Sequence, residues 1–240
     1  MKVMEKPVII GIVVGVVALT ILIWAARGSQ KRRIEALRRV AGMLGLAFEG
    51  RSKSFVIPGA KQFKLLRRGG MVGELMRGQR HGRTVAVFRY IVVVHYGHGA
   101  TASQWRVAAF QANGPLPTFQ MRPQSWLTRL KHRLAHRDVV FETHPEVIRR
   151  FYVTGVDASA IRTFFDGQVL SQLTAVPSPK FTVEASGGWL LVYHHARWEL
   201  KPESIPGFLE EAESLARIFL ERAGPQSSYG SASGMPVRVG

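Results

Sequence analysis

Histidine is the residue type in this 240-residue chain that most invites metal chemistry, because it occurs eight times and in pairs. His132 and His136 are four apart on a predicted helix, which puts two imidazoles on one face, and His95/His98 and His194/His195 are further pairs. A zinc-protease arrangement needs Glu directly after the first His, and Arg133 stands there instead. Arg129, Lys131, Arg133 and Arg137 would also repel a cation, so a solvated basic helix face is expected and no metal site. The chain has no Cys, which removes thiolate metal sites, iron–sulfur clusters, disulfides and thiol nucleophiles. Serine-nucleophile patterns and both phosphate-loop patterns are absent. The carboxylates available for acid–base work, Glu142, Glu146, Asp157 and Asp166, each read better as helix caps or surface. No cofactor and no catalytic residue is expected.

What stands above background is charge. With 33 Lys and Arg against 16 Asp and Glu, the net charge is +17, which excludes an acidic disordered chain. The excess is graded along the sequence. Between Arg27 and Arg83 there are fifteen basic residues against three acidic ones, whereas Trp198 to Ala223 carries six acids and three bases. Arg67, Arg68, Arg77, Arg80, His81 and Arg83 are expected to cluster around a turn or strand edge.

The basic segment follows twenty uncharged residues, Pro7 to Ala26. As a helix these would be about 30 Å long, the thickness of a bilayer's hydrocarbon core. The apolar region of a cleaved signal peptide is shorter, about 7–15 residues, and cleavage after Ala26 would put Trp24 at a position that favours small residues. Arg27, Lys31, Arg32, Arg33, Arg38 and Arg39 follow the run and two lysines precede it, so the N-terminus is expected outside and the bulk of the chain in the cytoplasm. The same six residues are the candidates for contact with the anionic leaflet. Gly11 and Gly15 form a G-x-x-x-G pair through which two such helices could pack.

Beyond the span, the pattern predicts a basic helix to Leu44 capped by Gly45, then strands at Leu46–Phe48, Glu74–Gln79, Arg83–His95, Gln104–Ala112 and Thr118–Arg122. A helix is expected over Ser125–Ala135. Thr143-His-Pro-Glu146 fits a capping box for another, and Asp157 caps a third. Phe181–Ala185 and Trp189–His194 are expected to pair as a hairpin around Ser186-Gly-Gly188. Ser204 opens a long helix whose apolar stripe runs from Ile205 to Phe219. The predicted organisation is a tail (1–6), a transmembrane helix (7–26), a basic juxtamembrane helix (27–45), one α+β domain with an antiparallel sheet and packed helices (46–223) and a tail (224–240).

The segments LGLAFEG, LMRGQRHGRTVAVFRY, FETHPEVIRRFYVTGVD and WLLVYH together resemble an uncharacterised family of bacterial single-pass membrane-anchored proteins. That resemblance implies a bacterial inner-membrane or cell-membrane setting, and brings no activity with it. The function expected is therefore a non-catalytic binding, scaffold or sensor module at the cytoplasmic membrane face. Its partners would be the bilayer and its anionic leaflet, and a protein with an acidic face or a second copy of the chain. Nucleic acid is disfavoured for want of a reader motif. The alternatives are a membrane-tethered enzyme of unrecognised type or a nucleic-acid-binding membrane protein.

Overall fold

The computed structural model describes residues 24, 28–51, 57–97, 99–124, 139, 141, 143–177, 179–196 and 201–224. Helix α1 covers residues 28–43. Its buried residues Leu37, Val40 and Ala41 recur every three or four positions, the spacing of one helix face. It ends in a Schellman turn: the Leu46 N–H donates to the Ala41 carbonyl at 2.9 Å and the Gly45 N–H to the Gly42 carbonyl at 3.1 Å. Gly45 has φ +69°, a left-handed conformation that side chains resist.

Among the described residues six strands follow in one antiparallel sheet: β1 (Ala47–Gly50), β2 (Met71–Arg80), β3 (Arg83–Tyr96), β4 (Gly99–Pro123), β5 (Phe151–Gly155) and β6 (Thr182–Ala196). The order is β1-β2-β3-β4-β5, with β6 on the other side of β4. Strand β4 is the axis. It pairs with β3 through its first half, with β5 through Phe119–Pro123, and with β6 from Gln104 to Met121.

Alternation along the strands separates two cores, because successive side chains leave a sheet on opposite faces. On one face Val85, Val87, Ala108, Phe110, Leu190 and Val192 meet α1 and helix α5 (Ile205–Arg222), whose Leu209, Ala212, Ala216 and Phe219 are all sealed from solvent. Burying each large side chain there is worth roughly 1.5–3 kcal/mol. Phe119, Phe165 and Phe219 meet with ring centroids 5.0–5.6 Å apart and tie in helices α2 (Pro145–Arg150), α3 (Ala158–Phe164) and α4 (Gly167–Ala175). On the other face Phe88, Val107, Ala109, Leu191 and Tyr193 are covered by a strap over residues 57–70, through Ile57, Phe63 and Leu65.

The α+β class and antiparallel sheet agree with the sequence, but three local expectations do not. Ser186-Gly-Gly188 is not a hairpin turn: both flanking segments lie in β6 and pair with the same partner, β4. Gly187, at φ +56°, forms an irregularity opposite Leu116 that lets the two long strands bend together. Gln104–Ala112 and Thr118–Arg122 are likewise one 25-residue strand. The cap of α2 is His144 and not Thr143, because Pro145 takes the first helical position and pushes the cap to the residue before it. Asp157 caps α3 as expected, accepting from the Ala160 N–H at 2.9 Å, and Asp166 caps α4, a helix the sequence pattern did not suggest.

The proposed span at 7–26 lies outside the described residues apart from Trp24, and so do Ser125–Ala135 and the 225–240 tail. Among the described residues no helix is long and apolar enough to cross a membrane.

Candidate functional site

The basic residues of α1 divide into two groups. Lys31, Arg32, Arg38 and Arg39 are exposed on α1, while Arg33 turns inward. Its guanidinium donates to Glu74 Oε1 from Nε at 3.0 Å and from Nη2 at 2.9 Å. Arg89 reaches the same oxygen at 3.1 Å, so one carboxylate holds two guanidinium groups. Arg27, Gly11 and Gly15 lie outside the described residues.

Glu74 owes its position to a bulge. Between Gly73 and Met76, β2 carries one residue more than β3, and Glu74 sits at φ +55°. This left-handed backbone costs roughly 1–2 kcal/mol in a non-glycine residue. It turns the carboxylate on to the helix face, where it is the common acceptor for α1 and β3.

Arg89 is registered against Arg106, and Arg106 against His194, so two guanidinium groups and an imidazole stand in a row across three strands. Arg106 is 3% exposed and, among the described residues, holds no carboxylate directly. It donates to the Ser204 hydroxyl at 2.7 Å and the Lys201 carbonyl at 3.2 Å, and lies over the Phe208 ring. Burial lowers its pKa to about 10; Glu74 opposes the shift, and Arg33 and Arg89 add to it. It therefore remains a cation at neutral pH. Ser204, at the start of α5, spends its hydroxyl on Arg106 and Lys201 rather than on the free helix amides, which corrects its expected role as a side-chain cap.

An open pocket of about 530 Å³ adjoins this row, lined among others by Arg106, Lys180, His194 and Glu211. Burial lowers the pKa of His194; the nearby Arg106 and Lys180 act in the same direction, against its contact with the His195 carbonyl and against Glu211. His194 packs between Phe181 and Phe208, with centroids at 5.7 and 5.4 Å, and the His195 ring meets the edge of Trp105. Both imidazoles are engaged with aromatic rings. His98, His132 and His136 lie outside the described residues, and among those described no three His, Asp or Glu side chains are grouped to hold a metal.

The strap face carries a second polar cluster. Glu184 is 2% exposed and accepts from Gln120 Nε2 at 2.7 Å, from the Tyr193 hydroxyl and from the Leu65 N–H at 3.4 Å. Gln120 passes its other end to Lys64, which donates to Gln120 Oε1 at 3.3 Å and Thr154 Oγ1 at 3.1 Å. Burial and the Glu184 carboxylate push the Tyr193 phenol far above its ordinary range, so it stays a proton donor. The cluster latches the strap to the sheet: Leu65 and Lys64 come from the strap, the other groups from the strands.

Of the expected cluster of Arg67, Arg68, Arg77, Arg80, His81 and Arg83, the structure keeps Arg80, His81 and Arg83 together at the β2–β3 turn, where they line one pocket with Glu213, and places the other three elsewhere. Arg68 lies over Trp105 on the strap face, Arg77 pairs with Glu49 of β1, and Arg80 is bound by Glu213 of α5. Glu74, Arg106 and Glu184 were not singled out by the sequence, since each is a lone polar residue in a strand and only the neighbouring elements reveal its burial.

No family model matches the chain, and no curated protein matches it in sequence. Its fold is similar to the crystal structure of the mycobacterial trehalose monomycolate transport factor A, TtfA, with a TM-score of 0.51 over 80% of this chain and 92% of that one. At 16% identity the likeness concerns the fold alone.

Proposed function

We propose that this chain is a single-pass protein of a bacterial cell membrane, spanning it with residues 7–26. Its α+β domain is a non-catalytic binding or scaffold module on the cytoplasmic face. The observation that carries this is the Arg33–Glu74–Arg89 clamp. The described part of α1 starts at residue 28, close in sequence to the uncharged run, and the clamp fixes that helix to the sheet. A domain held this way stays against the bilayer. The exposed Lys31 and Arg32 then face an anionic leaflet, each worth on the order of 1 kcal/mol close to the surface, while Arg38 and Arg39 lie about 10 Å further along the helix. The most buried polar groups, Arg106 and Glu184, are consumed in holding elements together, which favours a module over an enzyme. TtfA is named as a transport factor for trehalose monomycolate. By analogy of fold, the process this module would serve is a transport process.

Reporter fusions to the full chain test the topology. A C-terminal fusion is expected to be active with a cytoplasmic reporter and silent with one that works only outside the membrane. Strong activity of the latter overturns the assignment.

A further inference from the structure

The hairpin joining β3 to β4 carries an unusual surface. From Tyr90 to Trp105 there are sixteen residues without Asp, Glu, Lys or Arg, in a chain that is 20% charged. Arg89 and Arg106, directly paired across the two strands, close the stretch. Its base is buried, but the described residues from Val93 to Ala102 are all exposed. Val93, Val94 and Tyr96 are 41%, 39% and 63% exposed. A projecting, uncharged hairpin with apolar side chains in water is what solvated loops avoid.

The direction in which it projects is fixed by α1. The C-terminal end of the helix lies at the β2–β3 turn, where Arg80 donates to the Leu44 carbonyl at 3.2 Å, and Arg33 lies level with Glu74 and Arg89. Towards its N-terminus, then, α1 runs the same way as β3 does towards Tyr96. Five residues of helix from Arg33 to residue 28 rise about 8 Å, and seven residues of strand from Arg89 to Tyr96 extend about 23 Å. The tip reaches at least as far as the point where the chain would enter the bilayer.

We infer that the β3–β4 tip, centred on Val93, Val94 and Tyr96, is a second membrane contact that inserts into the interfacial layer of the leaflet from which α1 emerges. This rests on residues 7–26 spanning that membrane. Two attachments fix the domain's tilt, which one helix alone leaves free to vary. Tyrosine, with an apolar ring and a polar end, suits the headgroup level, and the lack of charge lets the tip enter without stripping water from an ion.

The absence of native Cys allows single labels on the full chain. An environment-sensitive fluorophore is placed at Ala18→Cys in the span, Val94→Cys at the tip, or Gln79→Cys near the opposite turn. Each protein is reconstituted into phosphatidylglycerol–phosphatidylcholine vesicles with spin-labelled lipid. The tip label is expected to be quenched at least about twofold more than the Gln79 label, most by a shallow spin label, and equally at high salt because no ion pair holds it. Equal quenching at tip and opposite turn overturns the inference. Protection of the tip without lipid quenching, together with disulfide-linked dimers of Val94→Cys, overturns it in favour of a second copy of the chain. A deeply quenched Ala18 label beside an aqueous tip refutes the hairpin contact and leaves the span standing; an aqueous Ala18 label refutes the span itself.

Discussion

Strand β3 ends in two hairpins built on opposite principles. At the turn with β2, Arg80 is held by both oxygens of Glu213, at 2.6 and 3.1 Å, and also reaches the Leu44 carbonyl, so charges bind the turn to α1 and α5. At the turn with β4 the sequence has no Asp, Glu, Lys or Arg, and no element among the described residues covers the exposed ends of the strands. One end is finished as protein surface. The other is unfinished unless something covers it, and the clamp that separates the two, Glu74 with Arg33 and Arg89, sets which end lies towards the N-terminus of α1.

Breaking the clamp should have the largest effect. Glu74→Ala leaves two guanidinium groups without their carboxylate near the buried Arg106 and is expected to cost about 3 kcal/mol, measured by denaturant unfolding of the detergent-solubilised chain. It should also speed amide exchange in the first two turns of α1. At the charged turn, Arg80→Ala removes a part-buried bidentate pair and a contact to α1, and should cost about 1–1.5 kcal/mol in the same measurement. At the uncharged tip, Val94→Asp should change stability by less than about 0.5 kcal/mol, because that side chain supports no part of the core. A large loss there would mean the tip is structural.

The smallest effect is one of pH. The native pKa of His194 lies below its ordinary value near 6.5, so the native state binds fewer protons than the unfolded one in that range. Stability should fall as the pH drops through about 6.5 towards the native value. The His194→Gln variant should lack that component, seen as a flatter dependence of the unfolding midpoint on pH.

How much of this could be read beforehand depends on how local each signal is. The stripe of α5, the Asp157 cap, Gly45 and the Val-rich β3 depend on neighbours within a few positions, and the sequence carries them plainly. The bend shared by β4 and β6 does not, because Ser186-Gly-Gly188 has the composition of a hairpin turn and only its pairing with Leu116 reveals an irregularity within one strand. Helix α4 escaped notice because Asp166-Gly167 reads as loop until the Asp side chain is seen to accept from the Val169 N–H. Of the site, the exposed cations of α1 were legible, but the inward turn of Arg33 was not, since it needs a bulge 41 residues away. The uncharged tip was present in the sequence all along. It passed for strand because Val and Tyr suit a buried sheet as well as a lipid interface.

In the proposed arrangement α1 and the sheet move as one body. Spin labels at Gln30→Cys on α1 and Gln79→Cys on β2, in the full chain in lipid nanodiscs, measure it most directly through the distribution of distances between them. A single narrow distribution, broadened by Glu74→Ala, is the predicted result. A broad distribution in the protein with Glu74 intact would contradict the clamp and, with it, the delivery of the tip to the bilayer.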